Sequence, residues 1–359
     1  MTTGLYRFRA RLIAALALLA LLANLAPGGA FAAPSISTQA KGAALMDVAS
    51  GRLLYSSNGD TPMRIASLTK IMTAIVAIEH GKLDGMVKTG KRAVGKEGSS
   101  IYLQLGEEMS LSNMLYGLML RSGNDAATAI AEHVGGSEEG FVHLMNEKAA
   151  MLGLTHTQFR NPHGLDEEGH FSSPNDLARL AAYALKNKDF AAIVSTRVKD
   201  VPNPHEKWSY RWQNKNKMLA MYEGADGVKT GYTKKALRCL VSSATRNGQK
   251  LVAVTINDGD DWRDHQQLLD WGFGHFPLRT LAEKGQPIQG ITQVAGQPFR
   301  YPLEESEAAG IQSKLELIPA IGERFELGER GKLLFYLNGS LIGSIPVYEP
   351  DSPLLTAGG

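Results

Sequence analysis

The sequence predicts an α/β fold: an antiparallel sheet with flanking helices and an inserted helical region, followed by a small C-terminal all-β domain. Three observations carry this. Strand-like runs lie at both ends of residues 40–278, with helical periodicity between them. A chain of 359 residues is too long for one compact core and suits two domains behind a leader. After about Leu278 the helical pattern stops and short alternating runs take over.

The elements follow in order. Arg7, Arg9 and Arg11 precede an apolar stretch from Leu12 to Leu25, and Ala30-Phe31-Ala32 places small residues around a cut site. Residues 1–32 therefore read as a secretory signal peptide cleaved after Ala32, since the apolar run falls short of the ~20 residues a spanning helix needs. No cysteine follows the apolar segment closely, which excludes lipid attachment there. Ala43 to Tyr55 reads as a hairpin around Ala49-Ser50-Gly51. Ser67 opens a helix in which Leu68, Ile71, Met72, Ile75 and Ile78 recur at helical spacing until Gly81. Leu111–Leu120 and Asp125–Val134 predict two more helices, separated by a Ser122-Gly123-Asn124 turn.

Ser173-Pro174-Asn175-Asp176 starts a helix running to about Lys186, with a serine cap, proline in the first position and acid in the first turn. Cys239–Thr245, the Asn247-Gly248 turn and Leu251–Asn257 form a second hairpin, and Leu268–Phe276 closes the domain with a short helix. These elements assign residues 33–278 to one domain and residues 279–359 to the all-β domain. In the latter, Val294–Tyr348 alternates in short runs and turns at Leu337-Asn338-Gly339-Ser340.

Composition narrows the function. The chain is 43% hydrophobic and 21% charged with a net charge of +2, an ordinary globular balance. No Lys/Arg run is interleaved with aromatics, so nucleic-acid binding has no support. Cys239 is the only cysteine, which rules out an internal disulfide, and its place in an apolar run marks it as a buried small hydrophobe. The nine histidines show no metal-ligand spacing, so no metal and no other cofactor is called for.

Three short strings in fixed order carry chemistry: Ser67-Leu68-Thr69-Lys70, Ser122-Gly123-Asn124 and Lys229-Thr230-Gly231. Residues i and i+3 share a helix face, so the Ser67 hydroxyl and the Lys70 amine can meet. At a helix start, free N–H groups favour a developing oxyanion. The lysine must be neutral to accept a proton, which burial beside Ile71 and Met72 and a second cation would bring about. Ser-x-Asn also occurs at Ser56-Ser57-Asn58, a turn, and at Ser173-Pro174-Asn175, a helix start. Lys88-Thr89-Gly90 duplicates the third string but precedes Ser122, out of order. Lys229-Thr230-Gly231 falls on or beside a strand, where a charge, a hydroxyl and close backbone approach suit a free carboxylate.

At these residues the chain resembles the low-molecular-mass penicillin-binding D-alanyl-D-alanine carboxypeptidases, peptidase family S11. The resemblance covers nearly everything after the leader, including Arg64–Thr73, Leu118–Ala126, Asn161–Leu165 and Gly227–Thr233. The wording at Asn214–Lys217, Gly231–Lys234 and Ile256–Asp258 is closer to sporulation-associated members than to vegetative ones. The resemblance implies a serine DD-peptidase/β-lactamase-like fold. It also implies that Ser67 forms an acyl-enzyme, Lys70 accepts its proton and Ser122 relays protons to the leaving D-alanine. Asn124 would hold the substrate amide, and Lys229 and Thr230 would bind the terminal carboxylate. Gly231 lets the strand close in, and the N–H groups of Ser67 and Tyr232 would form the oxyanion hole.

The implied partners are peptidoglycan stem peptides ending in D-Ala-D-Ala, with β-lactam antibiotics as covalent inhibitors. Many members end in an amphipathic membrane-binding helix, but Ser352–Gly359 has no basic amphipathic stretch, so no C-terminal anchor is expected. Two alternatives stay open on the residues. One is a β-lactamase-like hydrolase, although Met151–Leu165 lacks a Glu-x-x-Leu-Asn string for deacylation. The other is a non-catalytic peptidoglycan-binding envelope protein whose motifs are vestigial.

Overall fold

The computed structural model describes residues 36–203 and 206–356. The signal-peptide expectation lies outside these residues. A five-stranded antiparallel sheet is assembled from the two ends of the catalytic-motif region. Its strands are β1 (Gly42–Asp47), β2 (Leu53–Ser57), β3 (Ala225–Thr233), β4 (Leu237–Arg246) and β5 (Gln249–Ile256), in the order β2-β1-β5-β4-β3. The join between N- and C-terminal segments is β1 against β5, with Leu45 opposite Ala253. All six residues of β1 are buried, so both faces of the sheet's centre are covered. The Asn247-Gly248 turn has φ of 50° and 77°, the left-handed pair that a tight antiparallel hairpin needs.

Between β2 and β3 lies the helical region: α1 (Lys70–His80), α2 (Leu111–Leu120), α3 (Asn124–Gly135), α4 (Glu138–Met151), α5 (Pro174–Leu185) and α6 (Lys188–Ser195). Helix α7 (Asp261–His275) follows β5. Helix α1 is the centre of the main apolar cluster, with every residue from Lys70 to Ala77 buried. Helix α5 packs on β1 and β5 and begins as expected, the Ser173 hydroxyl accepting from Asp176 N at 3.2 Å ahead of Pro174.

Several boundaries differ from the sequence reading. Ser67 does not open the α-helix: it sits in a tight turn, Ala66–Thr69, and the helix proper starts at Lys70. The closing helix begins seven residues before the expected Leu268, with Asp261 of its first turn paired to Arg238 of β4 and Asp264 accepting from Gln39 N at 2.6 Å. Helices α4 and α6 were not anticipated, the first because its fourteen residues bury only Phe141, Met145 and Ala149. Two ribbons inside the helical region also escaped notice, Met86–Lys88 with Glu108–Ser110 and Val198–Pro202 with Ser209–Gln213. The first has strands of three residues, too short to show an alternating pattern.

The C-terminal part has its own sheets. A two-stranded ribbon pairs β6 (Leu278–Ala282) with β8 (Phe299–Pro302), while β7 (Val294–Ala295), β9 (Ile311–Leu317), β10 (Glu329–Leu337) and β11 (Ser340–Tyr348) form a sheet ordered β7-β11-β10-β9. Its core is a separate cluster including Leu333, Phe335, Ile345 and Val347. The turn at Asn338-Gly339 again has two positive φ values, 49° and 82°. Arg52 at the start of β2 ties the two regions together. Its guanidinium donates to Pro302 O at 2.6 Å, pairs with Glu307 and lies over the rings of Phe276 and Tyr301. From Thr38 onward the residues form a single unit. Among the described residues no helix is long and apolar enough to cross a membrane.

Candidate active site

Ser67 is presented by a turn held from below. Ala66 has φ of +47°, a left-handed conformation unusual for a residue with a Cβ. Three contacts hold it there. Arg160 N donates to His170 Nδ1 at 3.0 Å, so the proton of that ring is on Nε2, which meets Thr69 Oγ1 at 2.8 Å. The Thr69 hydroxyl in turn donates to Ala66 O at 2.9 Å. Burial drives His170 down to about 3, so the ring stays neutral and serves as a strut. Gly164, at φ +85°, closes the turn from the other side: a Cβ there would come within 2.0 Å of Ala66 O.

Lys70 is completely buried. Its Nζ lies 3.0 Å from Ser67 Oγ, 2.7 Å from Asn124 Oδ1 and 2.5 Å from His163 O. The orientation of Asn124 is set by its Nδ2, which donates to Glu97 O at 2.6 Å and so leaves Oδ1 facing the lysine. Burial first, then the charges of Lys229 and Lys215, hold Lys70 well below the ordinary lysine range, with Asp125 opposing. A neutral amine has two hydrogens and one lone pair. Asn124 Oδ1 and His163 O can only accept, so they take both hydrogens and leave the lone pair aimed at the Ser67 hydroxyl. This is the geometry a general base requires.

Above this pair opens a cleft of about 420 Å³, lined among others by Ser67, Ser122, Thr230, Gly231, Tyr232 and Lys215. Ser122, at φ +64°, is turned into it by the α2–α3 connection. That turn is anchored by Asp125, whose buried carboxylate accepts from Ser100 Oγ at 2.6 Å and from the N–H groups of Ile101 and Leu103 at 3.1 Å. Strand β3 brings Lys229-Thr230-Gly231 alongside. Gly231 lies so close to the serine turn that a Cβ would sit 3.2 Å from Ser67 N and 3.3 Å from Ile65 O. Glycine at this position is what lets the strand edge and the Ser67 N–H face one space.

Lys229 is buried, its Nζ donates to Thr230 O at 2.7 Å, and burial followed by Lys215 lowers it to about 7. An ammonium has two further hydrogens with which to meet an anion. Tyr232 lines the cleft and is 63% exposed.

The structure thus brings all eight expected residues together, with one difference. Asn124, expected from the resemblance to hold a substrate amide, has its amide engaged at both ends within the protein, on Lys70 and Glu97 O. Ser56 and Ser173 serve other ends: Ser56 Oγ meets Asn175, and Ser173 caps α5. Lys88-Thr89-Gly90 lies on a separate ribbon, with Gly90 against Glu132. Cys239 is buried, and burial pushes its thiol up to about 12, so it is no nucleophile at neutral pH.

Three contributors were missed from sequence. Lys215, hydrogen-bonded to Ser99 Oγ at 3.0 Å, supplies the additional cation over the cleft. Asp125 builds the wall, and the His163 carbonyl receives Lys70. Lys215, inside the Asn214–Lys217 string, and Asp125, inside the Leu118–Ala126 string, offered a chemical signal. A backbone carbonyl leaves none.

Fold and cleft together define an acyl-transfer site in which a buried lysine stands beside a serine, with no histidine lining the cleft among the described residues. The comparisons with known proteins agree. The Peptidase S11 family, D-alanyl-D-alanine carboxypeptidase, matches residues 29–260. D-alanyl-D-alanine carboxypeptidase DacF of Bacillus subtilis is 36% identical over 287 residues, covering 78% of this chain and 74% of the relative. The crystal structure of penicillin binding protein 5 from Haemophilus influenzae superposes with a TM-score of 0.71 at 28% identity, over 88% of this chain and 98% of that one. A variant of a Streptomyces DD-transpeptidase is matched along 100% of its length by 67% of this chain, with a TM-score of 0.63 and 32% identity. The chain belongs to the D-alanyl-D-alanine carboxypeptidase family, and its enzyme class is the serine-type carboxypeptidase.

Proposed function

We propose that this chain removes the terminal D-alanine from peptidoglycan stem peptides through an acyl-serine intermediate, and that penicillins acylate the same serine as substrate mimics. Ser67 Oγ attacks the scissile carbonyl while its proton passes to the lone pair of Lys70. The oxyanion faces the N–H groups of Ser67 and Tyr232. Lys70 returns that proton through the Ser122 hydroxyl to the nitrogen of the departing D-alanine and is again free to act as a base, while Lys229 with Thr230 holds the leaving residue's carboxylate. Water then attacks the ester, with Lys70 again taking a proton, and Ser67 is regenerated. Asn124 acts here through Lys70, as a positioning residue.

The observation that carries this reading is the lysine itself: buried, held well below the ordinary lysine range by that burial, and placed 3.0 Å from Ser67 Oγ with Asn124 Oδ1 and His163 O as its other partners. Replacing Ser67 by alanine should lower D-alanine release from a diacetyl-lysyl-D-Ala-D-Ala tripeptide by about 10³-fold or more and abolish covalent penicillin labelling. Persistence of either at the wild-type level would mean that another residue is the nucleophile.

The remaining expectations belong to the same proposal. Residues 33–278 form the catalytic domain and residues 279–359 a β domain, a division supported by the separate apolar clusters and by the shorter relative that two thirds of this chain spans. The enzyme acts outside the cytoplasmic membrane after export, where its polymer substrate is found. Maturation of the cell wall or spore cortex is the cellular role, a reading supported by the likeness to DacF.

A further inference from the structure

Beside the acyl cleft lies a second groove of about 540 Å³ that the carboxypeptidase chemistry does not use. Three separate chain segments pass from one to the other. Ser99 lines the cleft and Ser100 the groove, Ser122 the cleft and Arg121 the groove, and Lys215 the cleft and Gln213 the groove. Two of these pairs are sequence neighbours, whose Cα atoms are about 3.8 Å apart, and the third is separated by Asn214 alone, so the two depressions adjoin along a shared rim.

The groove is built on the ribbon Val198–Pro202/Ser209–Gln213. Tyr210 and Trp212 alternate along the strand Ser209–Gln213 and so project to one face, and Trp208, just before it, joins them through its ring contact with Tyr210. Trp212 is the root: it is buried against α2, where a Cβ on Gly117 would come within 3.2 Å of its ring. Tyr210 stacks on it with centroids 5.7 Å apart and planes 19° from parallel, and its hydroxyl meets Glu107 at 3.4 Å. Arg121 holds the ribbon from the other side by donating to Gln213 O at 3.2 Å. Trp208 continues the row outward, 5.6 Å from Tyr210, and is 59% exposed. Tyr102, which also lines the groove, is 82% exposed on a backbone of φ +65°.

Packing explains Trp212 and half of Tyr210. It does not explain two large aromatic faces left in water at the mouth of a groove whose other walls are amides, arginines and an acid. Flat rings flanked by hydrogen-bonding groups of both signs fit a pyranose: the C–H face of the sugar stacks on the ring while its hydroxyls and acetamido groups reach the polar walls. A lipid or an apolar peptide would have no use for those walls. We propose that this groove binds the glycan strand of the polymer whose stem peptide ends at Ser67. Trp208 and Tyr102 are its stacking faces, and the enzyme therefore prefers glycan-linked over free stem peptides. A few extended residues at roughly 3.4 Å each bridge the distance from sugar to scissile bond.

This inference rests on the carboxypeptidase reading, and its test separates the two. The intact protein and its Trp208→Ala, Tyr102→Ala and Trp208→Phe variants are assayed for kcat/KM on a disaccharide-linked pentapeptide, on the same pentapeptide without sugar, and for penicillin acylation. Both replaced side chains are exposed and outside the acyl cleft. We expect the alanine variants to lose about tenfold on the glycan-linked substrate, mainly in KM, with the free peptide and penicillin unchanged, and Trp208→Phe to recover most of the loss. An equal loss on both peptides makes the groove a peptide subsite and overturns the proposal, as does no loss on either. Failure of the wild type to release D-alanine from the free peptide would instead strike the carboxypeptidase reading.

Discussion

Two lysines buried beside one another cannot both keep an ordinary affinity for a proton. Lys70 and Lys229 are each buried, and each is depressed first by loss of water and then by a neighbouring positive charge. Lys229→Met removes the largest of the charges acting on Lys70. The pKa of Lys70 must then rise, its neutral fraction at a given pH must fall, and the rising limb of penicillin acylation against pH should move to more alkaline pH. Lys215→Met should move it less. A rate profile unshifted in both variants would show that the general base is not Lys70.

The same substitution has a stability signature. The Lys229 pKa in the folded protein is about 7 against an ordinary 10.5, so between these values the unfolded chain binds more protons than the native one. Unfolding free energy therefore rises with pH across that window, and the cost of burying the ammonium is fully present below about pH 7. Lys229→Met should accordingly be more stable than wild type at pH 6, by urea midpoint, with the gap closing toward pH 10. At this scale the sequence was readable for side chains only: Ser67, Lys70 and Lys229 announced themselves, whereas the His163 carbonyl that takes a lysine hydrogen belongs to no side-chain pattern.

Elements matter here through how closely they approach one another. Strand β3 serves the site because Gly231 has no Cβ to hold it off the serine turn. In Gly231→Ala the strand must yield by a few tenths of an ångström against the Ser67 N–H and the Ile65 carbonyl. We expect a folded protein with a nearly unchanged melting temperature and acylation slower by about tenfold, since small misplacements near the reacting atoms are costly in rate. Gly164→Ala is a different case. Its Cβ would collide with Ala66 O, which is backbone, at a φ that side chains resist. It should lose about 3 kcal/mol or more in chemical denaturation, together with activity. The helices at α1, α2, α3 and α5 were legible because each carries an apolar stripe or a capped start. Helix α4 was not, since three buried residues in fourteen leave little periodicity.

For the whole molecule, the question is what the C-terminal sheets contribute. The apolar cluster of Leu333, Phe335, Ile345 and Val347 is separate from the one around α1. Arg52 is a main polar tie between the regions, reaching the Pro302 carbonyl and Glu307 while lying on Phe276 and Tyr301. A chain ending at Pro277 should fold and be acylated by penicillin at a rate within about threefold of the full chain, because no residue beyond that point lines the cleft among those described. Arg52→Ala should cost roughly 1–3 kcal/mol of attachment and expose the link to limited proteolysis, without slowing acylation. A truncated chain that folds but cannot be acylated would make the β region part of the catalytic machinery.

By itself the sequence determined the chemical identity of the site. Ser67 and Lys70 are one turn apart, the polar turn at Ser122 interrupts two apolar helices, and Lys229-Thr230-Gly231 precedes a hairpin, so residue type and local conformation were decided together within each string. What only the tertiary structure decided is the state of those groups. The carbonyl partners of Lys70 lie 54 and 93 residues away, and the burial and cations that lower its pKa also come from other segments. Ionisation depends on what the whole fold places around an atom, and no local pattern encodes that.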